Sequence, residues 1–323
     1  MQRREFIAGL VGGAAWPLAA RGQQLAKIAR IGFLYPGIAA AAPTRIAALE
    51  DGLRAVGIQK GQIEIVLRQA DGDPGRMPAL ARQLVDARVD VILAISPSAV
   101  MATRAITTIP VVVSDLETDP VGSGLVASVA HPGGNITGVF FDFPDFAKKW
   151  LELLKETMPG LSSLAVMWDP TSGPVQRKAI EATAKVLNVR LQLIEVRSIA
   201  DLDRAFAAAA GFRPDAVLML SSPVFGTSPQ RVADLSLQHR LPTITLFTEI
   251  ARAGGLMAYG ANLLDVFRQS GAVVGKVLLG AKPADLPIER PSSFELVVNL
   301  KTAKMLGITV PTSVLLRANE VIE

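Results

Sequence analysis

The stretch Val89-Asp90-Val91-Ile92-Leu93-Ala94-Ile95 is apolar at every position except Asp90. A strand with one face in water alternates apolar and polar residues; one without that alternation is covered on both faces, which requires a parallel sheet flanked by helices. Its neighbours fit that demand. The residues predict a strand over Ala29 to Tyr35, a helix from Pro43 to Gly57, a strand over Gln62 to Leu67 and a helix from Pro74 to Ala87. After the apolar stretch come a helix from Ser98 to Ile106 and a strand over Pro110 to Ser114. Pro43, Pro74 and Pro97 stand where helices begin and Gly57 where one ends, the usual asymmetry of helix termini.

The alternation then restarts. Strands are expected over Leu164 to Trp168, Arg190 to Ile194, Ala216 to Leu220 and Thr243 to Phe247, separated by helices over Pro174 to Leu187, Ala200 to Ala210 and Pro229 to His239. With 323 residues, two cores are the default. The turn-rich stretches Asp119 to Gly124 and His131 to Asn135 precede a strand over Ile136 to Phe140, and the first crossing between lobes is expected near Phe141 to Asp145. In the tail, a strand over Gly254 to Gly260 and a helix over Leu264 to Leu279 are left for the first lobe. After Pro283, Pro287 and Pro291, a strand over Phe294 to Val298 and a helix over Leu300 to Leu306 are left for the second. The expected fold class is α/β, with two doubly wound parallel-sheet lobes joined by a three-segment hinge. Residues 28–141 plus 254–284 form lobe 1, and 142–253 plus 288–323 form lobe 2.

The N-terminus carries a different signal. Arg3-Arg4 precede the apolar run through Phe6, Ile7, Leu10, Val11, Trp16 and Leu18, which ends at Ala20-Arg21-Gly22. This order of basic, apolar and small residues predicts an export signal over residues 1–22. Gly12, Gly13 and Pro17 argue against a packed helix, since each costs about 1 to 3 kcal/mol in a helix interior. The Arg pair resembles a twin-arginine signal, with general secretion as the other route. The sequence has no Cys, so neither a disulfide nor a lipid-bearing thiol is expected. Removal of 1–22 takes away Arg3, Arg4, Arg21 and Glu5 and lowers the formal charge from +4 to +2 (33 − 3 basic, 29 − 1 acidic), too little for a nucleic-acid surface. The expectation is a free monomer in the periplasm, not inserted in the membrane.

Several stretches together carry a family resemblance: Ile31-Gly32-Phe33-Leu34-Tyr35, Ala94-Ile95-Ser96-Pro97-Ser98-Ala99, Thr108-Ile109-Pro110-Val111-Val112, Asp119-Pro120-Val121, His131-Pro132-Gly133-Gly134-Asn135 and Lys301-Thr302-Ala303-Lys304-Met305-Leu306-Gly307-Ile308. With the export signal, these resemble the ABC-transporter substrate-binding proteins, a family that includes tryptophan and phenylalanine binders. The resemblance implies a type I periplasmic-binding fold whose lobes close on a small molecule and deliver it to a membrane permease. A periplasmic sensor of the same fold, signalling to a receptor, is the alternative. A repressor of this fold carries a helix-turn-helix ahead of its first strand, where this sequence has the export segment.

In open α/β sheets ligands bind beyond the carboxyl ends of the strands. Those ends offer Tyr35, Ser96-Pro97-Ser98-Ala99 and Ser114-Asp115 in the first lobe. The second offers Asp169, Ser221-Ser222-Pro223, Phe225 and Phe247-Thr248-Glu249. Ser96, Ser98 and Ala99 open a helix whose unpaired N–H groups suit a carboxylate, although Ser96 or Ser98 serves equally well as a simple cap. Asp115 and Asp169 suit a ligand ammonium or ordinary turn chemistry. Tyr35, Phe225 and Tyr259 are rings for a flat ligand, with core packing as the rival. Ser221 and Ser222 complete the candidate ligand set, and they stand where an Asp-Asn pair is expected in aromatic-amino-acid binders of the family. Neither His131 nor His239 has metal-ligand spacing or a place in a catalytic triad, and there is no phosphate loop or nucleophile elbow. No enzyme activity, metal or cofactor is expected; the ligand class is an amino-acid-like carboxylate or another small or aromatic carboxylate.

Overall fold

The computed structural model describes residues 28–105, 108–141, 143–172 and 174–323; the export segment 1–22 lies outside the described residues. The first lobe begins with β1 (Ala29–Tyr35), α1 (Ala42–Ala55), β2 (Ile63–Gln69) and α2 (Met77–Asp86). It continues with β3 (Val91–Ile95), α3 (Pro97–Arg104), β4 (Val111–Asp115) and β5 (Ile136–Phe140). The strands form one parallel sheet in the order β2-β1-β3-β4-β5. Both faces are covered, as the apolar run of β3 demands. Leu34, Ile92 and Ala94 pack with Met77, Leu80 and Leu84 of α2, while Ile31, Phe33 and Leu93 pack with Leu49 and Leu53 of α1.

The second lobe contains α4 (Phe143–Thr157), β6 (Ser163–Trp168), α5 (Val175–Val186), β7 (Arg190–Glu195), α6 (Leu202–Phe212), β8 (Ala216–Met219), α7 (Pro223–Gly226), α8 (Pro229–Gln238), β9 (Thr243–Thr245), α9 (Thr248–Ala253) and β10 (Met257–Ala261). Then follow α10 (Leu263–Leu278), β11 (Phe294–Asn299), α11 (Leu300–Leu306), α12 (Thr312–Leu315) and β12 (Glu320–Ile322). The sheet order is β12-β11-β10-β9-β8-β6-β7, parallel except that β11 runs antiparallel to β10. Trp150 of α4 is fully buried here, and its indole N–H donates to the Tyr259 carbonyl at 2.7 Å.

The chain passes between the lobes three times: between β5 and α4, between β10 and α10, and between Glu289 and β11. Glu289 still belongs to the first lobe, where its N–H donates to the Gly138 carbonyl at 2.9 Å. The segment 254–284, expected as a unit in lobe 1, is divided. Its strand β10 pairs with β9 and β11 in the second sheet, because the short crossover through α9, turned back at Gly254 (φ +127°), reaches no farther than the edge of β9. From α10 onward the segment lies in the first lobe, where the Ala284 carbonyl accepts from the Gly133 N–H at 3.1 Å. Helix α10 lies directly on α1: a Cβ on Gly52 would fall 1.8 Å from the Arg268 carbonyl oxygen, and one on Gly271 would fall 2.2 Å from that of Leu49. These two glycines let the helix backbones touch.

Aromatic rings gather where the three passages meet, around Phe146. Phe146 lies 3.9 Å from Phe141, 5.3 Å from Tyr259 and 5.4 Å from Phe294, measured between centroids. Each passage therefore has a ring beside it in one aromatic cluster.

Candidate functional site

Between the lobes lies a cleft of about 350 Å³, toward the lower end of the volumes that hold small ligands. The first lobe contributes Tyr35, Arg45, Ser96 and Glu117 to its walls. The second contributes Ser221, Phe247 and Glu249, and α10 supplies Phe267.

Tyr35 is the last residue of β1, so the strand end delivers its ring to the opening. The Arg45 guanidinium stands 5.5 Å from the Tyr35 ring centre and 5.9 Å from that of Phe267, within cation–π range. It donates to the Ala41 carbonyl at 3.1 Å and forms no ion pair among the described residues. Burial raises the Tyr35 hydroxyl pKa; Arg45 opposes that rise and Glu249 adds to it, so both charges reach the same hydroxyl.

Ser96 joins β3 to α3 with φ +80° and ψ 161°, a region almost reserved for glycine. Its backbone is pinned on both sides: its N–H donates to the Ser114 carbonyl at 3.2 Å, and its carbonyl accepts from the Val100 N–H at 3.1 Å. No side-chain cap bond forms; the Ser96 and Ser98 hydroxyls face each other at 3.1 Å. Ser98 borders a separate crevice of about 20 Å³, shared with Ser96 and Asp169. Asp169 is committed there. One carboxylate oxygen accepts from the N–H and hydroxyl of Thr171 at 2.8 and 2.7 Å, and the other accepts from the Ser222 hydroxyl at 2.7 Å. The Ser222 hydroxyl in turn accepts from the Val224 N–H and caps α7.

A buried acid pair forms the floor. Asp115 accepts the N–H groups of Glu117 and Thr118 through one oxygen, at 2.8 and 3.1 Å, and is wholly buried. Desolvation raises the pKa of Asp115; desolvation and then the Asp115 charge hold Glu117 well above the usual carboxylate range. Two adjacent carboxyls out of water favour one shared proton. Ser221, clamped by Gln176 through two bonds of 2.7 and 2.8 Å, points its hydroxyl at Glu117 from the other lobe.

Of the residues singled out from the sequence, Tyr35, Ser96 and Ser221 thus meet in the cleft. Ser98 and Asp169 meet beside it, Asp115 lies beneath Glu117, and Ser222 is a helix cap. Ala99, Phe225 and Tyr259 border neither the cleft nor the crevice. Ala99 sits in the core below α3, and Phe225 is fully buried in the second lobe, each drawn there by its apolar surface. Tyr259 belongs to the aromatic cluster between the lobes. Arg45 was not legible as a site residue from charge alone, but the spacing Ala42, Arg45, Leu49, Gly52 sets it on the buried stripe of α1.

The family model for ABC transporter substrate binding proteins matches residues 41–322. The chain belongs to that family. A curated relative among such proteins, the tyrosine-binding protein of Clostridioides difficile (strain R20291), is 26% identical over 276 residues, which is 84% of this chain and 78% of the relative. The solved ABC domain from Streptococcus pneumonia in complex with L-Trp superposes with a TM-score of 0.83 at 26% identity, covering 91% of this chain and 99% of its own. A conserved domain protein from Vibrio cholerae O1 biovar eltor gives 0.84 at 27%, covering 91% and 100%. Two mostly parallel sheets joined by three passages are the type I periplasmic-binding fold of these ABC substrate-binding proteins. Among the described residues no helix is long and apolar enough to cross a membrane.

Proposed function

We propose that this protein captures a small aromatic carboxylate, an amino acid or a related acid, between its lobes and hands it to an ABC permease. The observation that carries the reading is Arg45, a guanidinium without an acidic partner among the described residues, laid over Tyr35 and Phe267 at the wall of the inter-lobe cleft. A ligand carboxylate supplies the missing charge, and the rings of Tyr35, Phe247 and Phe267 supply flat apolar surface. The L-Trp complex and the tyrosine-binding relative support this class of ligand. The protein works without catalysis, as a monomer in the periplasm, after loss of residues 1–22.

A thermal-shift screen of aromatic amino acids, aromatic acids and their amides tests the reading. A ligand at 100 times its dissociation constant adds about 2.7 kcal/mol of stability. The acids are expected to raise the melting temperature and the amides not, with Arg45→Met abolishing the difference. Equal shifts from acids and amides would remove the anion site from the account.

A further inference from the structure

The end of β4 is where the first lobe reaches into the second. Leu116 packs into the apolar core of the second lobe, and the acids on either side of it, Asp115 and Glu117, are carried out of water with it. The Glu117 carboxyl is met from the far lobe by the Ser221 hydroxyl at 2.5 Å. Gln176 of α5 fixes the aim of that hydroxyl by clamping the Ser221 backbone, at 2.7 and 2.8 Å. All four residues are buried, Glu117 at 6% exposure and Ser221 at 1%.

The surroundings supply little to balance an ionised Glu117. The charge that acts on it is that of Asp115, which is of the same sign. Among the other walls of the cleft, α9 brings a further acid, Glu249, and β1 brings the Tyr35 hydroxyl; α10 brings only the apolar Leu263, Val266 and Phe267. The cation of the cleft, Arg45 of α1, is laid over Tyr35 and Phe267 and bonded to the Ala41 carbonyl. Two carboxyls so placed are at ease with one proton between them. Once that proton has gone to solvent, two negative charges stand out of water, and one hydroxyl from the far lobe is a poor substitute for hydration. Water reaches Glu117 by entering between it and Ser221, which parts the lobes.

We infer that the Glu117–Ser221 contact is a proton-operated latch: it holds the two lobes together while the acid pair keeps its proton, and the cleft opens when the proton leaves. Closing then takes up a proton, so closure is complete at acid pH. It is lost as pH rises from the ordinary carboxylate range through the raised value of the closed form. Over that window the ratio of closed to open lobes falls by about tenfold for each pH unit, the limit for one proton. The latch needs no particular ligand, and it makes release of whatever the cleft holds easier as pH rises.

The chain has no Cys, so one introduced on each lobe carries a dye pair cleanly. Met101 on α3 and Val186 on α5 are exposed, and Met101→Cys with Val186→Cys reports lobe separation by energy transfer in the ligand-free protein. Transfer is expected to be high at pH 5 and to fall by pH 9, and to stay high throughout when Glu117→Gln, a neutral side chain with no proton to lose, is added. Flat transfer in the labelled parent overturns the latch. So does a Glu117→Gln protein that falls with the parent curve or is open at every pH. Should Glu117→Gln fail to fold, Ser221→Ala decides: low transfer already at pH 5 supports the latch, and a curve that follows the parent overturns it. The measurement uses no ligand, so failure of the latch and failure of the capture reading are told apart.

Discussion

The hydroxyl of Ser221, two residues past β8 in the second lobe, donates to the carboxyl of Glu117, two residues past β4 in the first, at 2.5 Å. Both residues are buried, so this bond fastens the lobes at the floor of the cleft. Replacing Ser221 by Ala leaves the Glu117 oxygen without its donor. The expected loss is about 1 to 3 kcal/mol of stability, measured by denaturant titration of the unliganded protein. An unchanged midpoint would mean that the two lobes part freely at this point in solution.

The acid pair also gives the protein a direction of pH dependence. The pKa values of Asp115 and Glu117 are raised in the folded state, mainly by burial, so the native chain holds more protons than the unfolded one above the ordinary carboxylate range. Their contribution is complete at acid pH and is lost as pH rises from that range through the raised folded values. Melting temperature against pH should therefore fall more steeply in the unmodified protein than in Glu117→Gln, which has no proton to lose. Parallel curves for the two proteins would contradict the buried pair.

Ser96 offers a test that depends on backbone alone. At φ +80° and ψ 161° it pays strain of about 1 to 3 kcal/mol that glycine escapes. Ser96→Gly should therefore be more stable than Ser96→Ala by a similar amount, even though glycine is the more flexible residue when unfolded. Equal unfolding midpoints for the two variants would place Ser96 in an ordinary conformation.

At the contact of α1 with α10, Gly271→Val sets a side chain against the Leu49 carbonyl, where even a Cβ would stand at 2.2 Å. Separation of the helices is expected to cost about 3 kcal/mol, at the upper end of overpacking penalties. A variant as stable as the parent would show that the helices can move apart without cost. Since α10 also carries Phe267, the same variant should weaken binding of aromatic ligands.

Much of this architecture is written in the sequence. The two-sided apolar runs such as β3 announce a covered parallel sheet, and proline and glycine punctuate the helices. The site is less legible, because strand ends reveal which residues approach the cleft but not which lobe a late strand joins or how a side chain is spent. Asp169 and Ser222 look like ligand groups until their hydrogen bonds to each other and to Thr171 are seen. Tyr259 looks like a stacking ring until β10 is placed in the second sheet, which carries it to Phe146 and Phe294. Arg45 reads as an exposed helix charge unless its position on the buried stripe is noticed. Glu249 stands in plain view at a strand end, and its Oε2, which accepts no hydrogen bond among the described residues, distinguishes it from a solvated first-turn acid.

The central claim is that the ligand sits between the lobes with its carboxylate on Arg45. A crystal structure grown with the most stabilising aromatic acid from the screen tests it most directly. The account predicts ligand density in the cleft, the ring among Tyr35, Phe247 and Phe267 and the carboxylate against the Arg45 guanidinium. Density elsewhere on the protein, or a ligand in the cleft whose carboxylate turns away from Arg45, would contradict it.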